Sequence, residues 1–316
     1  GWAHTYTAKL EASGVLGTGL TGSDRARSLR EPSVEDLFVG LEPAAFGMIF
    51  MPTLLSDGYV LPPSDASAVF SNPSGYQQVP IILGSNRDEA ALFLMNHDDY
   101  RSSLFGLFPR VKNEADYRRV VRYISDATKI RTVDEIADWM LESSHADVFA
   151  YRFDWDEQRT ILGYDVSVAL GAAHGIEVPF VFGSFDMFPP LTRTVPMDEP
   201  QSRLSADIMS YWAEFARSGD PGTGGRGENP VWNRWAHSGT RLLILDTESG
   251  GGIRMEDVHV DQASLRKALA SDSDFKRKQE HCKTYVLAFR GTPEFDSGEY
   301  ERIGCAEFPV EPVSMF

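Results

Sequence analysis

Only two of the 316 residues are cysteine, Cys282 and Cys305, so a scaffold built on disulfides is excluded, and neither lies in a Cys-x-x-Cys pair. Their spacing leaves open whether they pair or stay free, because it says nothing of Cβ geometry. A pair would point to an oxidising compartment, and so to a secreted or periplasmic protein. No apolar run approaches the roughly 18 residues of a membrane span. Positive charge is scarce: 30 Lys and Arg stand against 46 Asp and Glu, a formal charge of −16. Such a surface repels nucleic acid phosphates and anionic lipid heads, which excludes nucleic acid as a partner. Solubility is the simple reading of that charge, and a field that draws cationic substrates is the sharper one. Internal repeats and low-complexity tracts are absent. The start, Gly1-Trp-Ala-His4, has no Met, basic segment or apolar segment of a signal peptide. A chain that starts this way is expected to be the downstream product of a cut.

What is present is ordinary globular composition, 42% hydrophobic and 11% aromatic, enough for one large domain or two modest ones. Residues 8–40 read as helical, interrupted by Gly14–Gly22, and Ser33 before Val34-Glu35-Asp36 marks a helix start. Residues 46–52 are apolar and extended. The run Val79-Pro-Ile81-Ile82-Leu83-Gly84 fits a strand buried on both faces. Helical periodicity covers 113–146, 201–217 and 262–289, with Gly219 ending the second. Further strands are expected at 147–153 and 241–245. Residues 222–229 form a glycine-rich loop, and about the last 25 residues are expected to be ordered only by contact. Strands alternating with longer helices indicate an α/β fold with a mostly parallel sheet.

The chemistry concentrates in two segments. Ligands of open α/β sheets bind beyond the carboxyl ends of the strands, and Glu89 lies just past the strand that ends near Gly84. His174 sits between Gly171 and Gly175, a permissive backbone that can hold an imidazole at a rim. A histidine takes and returns protons near neutral pH, and a carboxylate fixes its tautomer. Acid before histidine is the order of a serine hydrolase whose serine is missing from the front. The serine is indeed missing: no Gly-x-Ser-x-Gly elbow occurs anywhere in the chain. Asp88 is a rival acid, but adjacent side chains cannot both aim at one imidazole. Glu177, three residues after His174, suggests metal ligation, yet one His and one Glu do not make a zinc site. It reads instead as a buried carboxylate behind the histidine loop. His97, beside Asp98 and Asp99, reads as part of a solvated loop.

At these residues the chain resembles the C-terminal portion of the carboxylesterase/cholinesterase (type-B esterase) family. The resemblance rests on Gly84-Ser-Asn86-Arg-Asp88-Glu89-Ala90, on His174-Gly-x-Glu177-x-x-Phe180-Val-Phe182-Gly183, on Tyr211-Trp212-x-x-Phe215-Ala216-Arg-Ser-Gly219-Asp-Pro221 with Pro230-Val-Trp232, and on Phe50-Met-Pro52 upstream. It covers about residues 30–250 and weakens after Cys282. It implies the α/β-hydrolase fold and carboxylic ester hydrolysis through an acyl-serine. Glu89 would be the triad acid and His174 the base, with no cofactor and no metal. Phe46 and Met48 would lie near the acyl pocket, with Leu92 and Phe93 on the alcohol side. Leu92, where cholinesterases have an aromatic wall, favours a general apolar ester pocket. The serine and the oxyanion loop would lie on a separate N-terminal chain, so that residues 1–316 complete a single domain only with that partner. A non-catalytic cholinesterase-like adhesion module is the alternative, and retention of both Glu89 and His174 counts against it.

Overall fold

The computed structural model describes residues 2–42, 57–104, 108–144, 147–187, 189–290, 292–308 and 310. They fall into two compact units that divide between Ser64 and Asp65.

The first unit is helical, with helices at Trp2–Ala12, Gly22–Ser28 and Val34–Phe38. Gly14, at φ +78°, supplies the left-handed turn after the first helix. Tyr6 donates its hydroxyl to Leu37 O at 3.0 Å, which ties the first helix to the third. The start signal at Ser33 is realised: its hydroxyl accepts the Asp36 N–H at 3.1 Å and caps the helix.

The second unit is built on a sheet of four strands: β1 (Ile81–Asn86), β4 (Val148–Phe153), β7 (Leu242–Leu245) and β8 (Arg254–Glu256). They lie in the order β1-β4-β7-β8, the first three parallel and β8 antiparallel. Two hairpins accompany the sheet, β2 (Arg101–Leu104) with β3 (Phe108–Val111) and β5 (Thr160–Ile161) with β6 (Tyr164–Asp165). Alternation along β4 and β7 feeds two cores. Phe149, Phe153, Leu243 and Leu245 face Leu204, Ile208 and Tyr211 of the Glu199–Ser218 helix and the buried Trp232. Val148, Ala150, Leu242 and Ile244 pack instead with Val133, Ala137, Met140 and Trp235. Helices therefore cover both faces, which explains why these strands are apolar almost throughout.

Four local departures from the sequence reading have physical causes. The helix expected over 113–146 runs as Glu114–Lys129 and Glu135–Glu142, with a π turn at Ile130–Asp134 between them. The wider turn brings Asp134 beneath Lys129, whose buried ammonium reaches both carboxylate oxygens at 2.6 Å. The helix expected over 262–289 splits into Gln262–Ala270 and Lys278–Phe289. The intervening Ser271-Asp272-Ser273-Asp274 competes with helix bonds: Asp274 N–H donates to Asp272 Oδ1 at 2.9 Å. The tail is more ordered than expected, since Asp296 caps a helix at Ser297–Arg302 and Cys305 is bonded to Cys282. Strand β8 was not foreseen, because three residues of Arg-Met-Glu carry no apolar pattern. The long helix, by contrast, ends as expected at Gly219, in the left-handed conformation.

Gly84 in β1 lies directly against the Tyr151 ring of β4, so a Cβ there would overlap the ring. Gly84→Ala is expected to cost about 1–3 kcal/mol through overpacking, read as a lower urea midpoint with an unchanged slope; an unchanged midpoint would contradict the close approach.

Candidate active site

Glu89 and His174 come from different parts of the chain, and the fold brings them into contact. The segment after β1 carries Glu89 beyond the carboxyl end of that strand. A short helix, Ser167–Leu170, ends at Gly171 with φ +53°, and Gly175 adopts φ +80°, so His174 sits on a loop with a left-handed residue on each side. The two segments are laced together. Asp88 N–H donates to Ala172 O at 3.0 Å, and residues 88 and 173 form a parallel β-bridge. Asn86 Nδ2 donates to Ala173 O at 2.8 Å and also to Glu177 Oε2. Behind them, Tyr117 OH reaches Ala91 O at 3.1 Å and Ala169 O at 2.6 Å, joining the residues after Glu89 to the helix before His174.

The Glu89 carboxylate is held on both oxygens. Oε1 accepts the Asn86 N–H at 2.8 Å, and Oε2 lies 2.6 Å from His174 Nδ1. A carboxylate only accepts, so Nδ1 carries the shared proton and Nε2 is the basic nitrogen of the neutral ring. Among the described residues, Nε2 has no hydrogen-bond partner, and the His174 side chain is 52% exposed while that of Glu89 is 15% exposed. The imidazole is thus oriented from one side and free on the other. The hydrogen bond from Glu89 raises the His174 pKa above the ordinary value, against an opposing effect of burial. Burial likewise pushes the Glu177 carboxyl up, although Asn86 hydrogen-bonds to it.

Of the other residues singled out in the sequence, Phe93 places its ring 5.5 Å from that of His174. Leu92 is buried in an apolar cluster with Leu94, Tyr117 and Val120. Phe46 and Met48 lie outside the described residues. Glu177 stands behind the histidine loop and accepts from Asn86 Nδ2. His97 is remote in role: its ring contacts Lys283 Nζ at 3.2 Å and lies beside Asp99. Three contributors were missed. Asn86 stands in the motif without a role and Asp88 only as a rival acid, although an Asn and an Asp at the end of a strand are ready partners for a neighbouring backbone. Gln158, which donates to Gly171 O at 2.6 Å, carries no signal of its own in the sequence.

Residues 108–262 match the sequence model of the carboxylesterase family. A para-nitrobenzyl esterase from Bacillus subtilis is 28% identical over 220 residues, which is 64% of this chain and 40% of that protein. Acetylcholinesterase from Danio rerio is 33% identical over 100 residues, 29% of this chain and 13% of that enzyme. Among solved structures, a PNB esterase aligns with TM-score 0.49 and 23% identity over 80% of this chain and 50% of that one. Aspergillus niger EstA aligns with TM-score 0.48 and 19% identity, over 84% of this chain and 53% of the other. The chain thus spans less than half the length of the curated relatives. The resemblance to the carboxylesterase family holds, and with it the sheet of β1, β4, β7 and β8 is the downstream part of an α/β-hydrolase sheet with its flanking helices.

Because Glu89 stabilises the imidazolium, the pair adds stability that is full below the ordinary histidine range of about 6.5. That stability fades as pH rises through the raised folded value. In an NMR titration His174 is expected to titrate above the ordinary value, and Glu89→Gln to bring it down. A wild-type inflection at or below the ordinary value would contradict the geometry.

Proposed function

We propose that this chain supplies the acid and the base of a Ser-His-Glu triad that hydrolyses a small carboxylic ester through an acyl-serine. The observation that carries this reading is the Glu89–His174 contact of 2.6 Å, at a half-exposed ring whose Nε2 has no hydrogen-bond partner among the described residues. In this role Nε2 takes the proton of a serine hydroxyl and returns it to the leaving alcohol, while Glu89 holds the tautomer and stabilises the imidazolium. Phe93, whose ring lies 5.5 Å from that of His174, would line an apolar pocket for the ester. Glu177 supports the histidine loop from behind.

The serine and the oxyanion donors belong, on this reading, to a separate N-terminal chain that completes a single hydrolase domain. Two observations favour such a partner. β1 is an edge strand of the parallel sheet, paired only with β4 among the described residues, and open parallel edges are rare because they template association. Phe182 and Met209 are exposed at 68% and 37%, next to the half-buried Val181 and Trp212 of the Val178–Phe182 and Glu199–Ser218 helices. A two-chain enzyme with an extensive, core-like interface follows. The Cys282–Cys305 bond favours an oxidising compartment, and so a secreted or periplasmic setting.

The 316-residue chain alone is expected to hydrolyse no p-nitrophenyl ester; turnover by the pure chain would overturn the division of the triad. With the partner present, His174→Ala is expected to lower kcat by roughly three orders of magnitude or more. A loss under about tenfold would remove His174 from the role of base.

A further inference from the structure

We propose that Asp88 is a positioning residue, which grips the Gly171–Ala172 backbone and so sets the register in which His174 meets Glu89. The proposal rests on the reading of Glu89 and His174 as acid and base, and gives their loop a part that neither residue supplies. Residue 88 pairs with residue 173 in a parallel bridge, so the next residue on each side is Glu89 and His174. A slip by one position would set His174 opposite Asp88 or Ala90 and leave Glu89 without the imidazole.

Asp88 holds that register with two groups. Its N–H donates to Ala172 O at 3.0 Å, and its Oδ2 accepts the Ala172 N–H at 2.9 Å. Oδ2 is itself immobilised by Arg87, whose Nε and Nη2 approach at 3.0 and 2.8 Å. Arg87 Nη2 is fixed in turn by Asp156 at 2.6 Å, in the segment after β4. Gln158 of the same segment holds Gly171 O. The segments after β1 and β4 therefore converge on the three residues before His174. Gly171 is obligatory here, since its φ of +53° disfavours any side chain and a Cβ would overlap the Asp88 carboxylate. Adjacent acids thus divide the work: Asp88 takes the backbone, Glu89 the ring. Arg87 and Asp156 face the clamp, with Arg152 and Asp246 coupled electrostatically to Arg87, and Glu89 and Glu177 face His174.

The test compares Asp88→Ala and Asp88→Asn in the protein purified with its accompanying chain. Three quantities are read: kcat and KM for a p-nitrophenyl ester across pH, active sites counted by phosphonate titration, and the NMR titration of His174. D88A is expected to lower kcat per titrated site by on the order of 10²-fold, as for a misplaced catalytic group, with KM within about twofold. The His174 inflection should fall toward the ordinary value. D88N keeps an oxygen for the Ala172 N–H and should recover most of both losses. A purely structural role would reduce the number of sites and leave kcat per site and the inflection unchanged, and that result overturns the proposal. So does a D88N as impaired as D88A. If D88A does not fold, Asp88→Ser, whose hydroxyl is too short for the clamp, takes its place with the same expectations. If the wild type turns over no ester, the esterase reading fails, and the His174 titration alone decides on Asp88.

Discussion

The hydrogen bond between His174 Nδ1 and Glu89 Oε2 joins residues 85 positions apart in the chain. Much of the second unit can be understood as what is needed to make that bond in one geometry. The parallel pairing of β1 with β4 brings Glu89 to the carboxyl end of the sheet. The close contact of Gly84 with Tyr151 seats β1 against its neighbour. The left-handed glycines at 171 and 175 let a short loop carry an imidazole without strain. Tyr117 then ties the backbone on either side of the site to the Glu114–Lys129 helix, so that the acid and the base share one support.

The electrostatic arrangement follows from the same bond. Acid, ring and second carboxyl stand in sequence: Glu89 on the imidazole, Glu177 behind its loop, and Asn86 between the two carboxylates with its N–H on one and its amide on the other. Burial raises the Glu177 carboxyl, while the His174 ring is half-exposed. The half-open state of the imidazole is the feature a nucleophile from elsewhere would exploit.

The parts of this molecule that were legible in its sequence are those where one residue type answers one physical demand. The unbroken apolar run into Gly84 marked a strand, although β1 lies at the sheet edge with Ile81–Gly84 only half-buried rather than covered on both faces, and Gly219 after a regular apolar stripe marked a helix end. Glycines around a histidine, behind an acid at a strand end, marked the site, and the family resemblance chose Glu89 over Asp88 as the partner of His174. The π turn was hidden because Lys129 and Asp134 look like ordinary surface charges until burial pairs them. Asp88 was hidden by its neighbour: side by side, two acids look like rivals for one role, and only the bridge to Ala173 separates them. Gln158 acts through a backbone carbonyl, a contact that no side-chain pattern encodes.

The central claim, that this chain holds the acid and base for a serine carried elsewhere, is tested most directly by locating a covalent adduct. The protein is treated with a fluorescent organophosphonate, its chains are separated under denaturing conditions, and the adduct is mapped by mass spectrometry. The account predicts one labelled serine on the accompanying chain, and no label when His174 is replaced. A label on a serine of this 316-residue chain, or labelling that persists without His174, would contradict it.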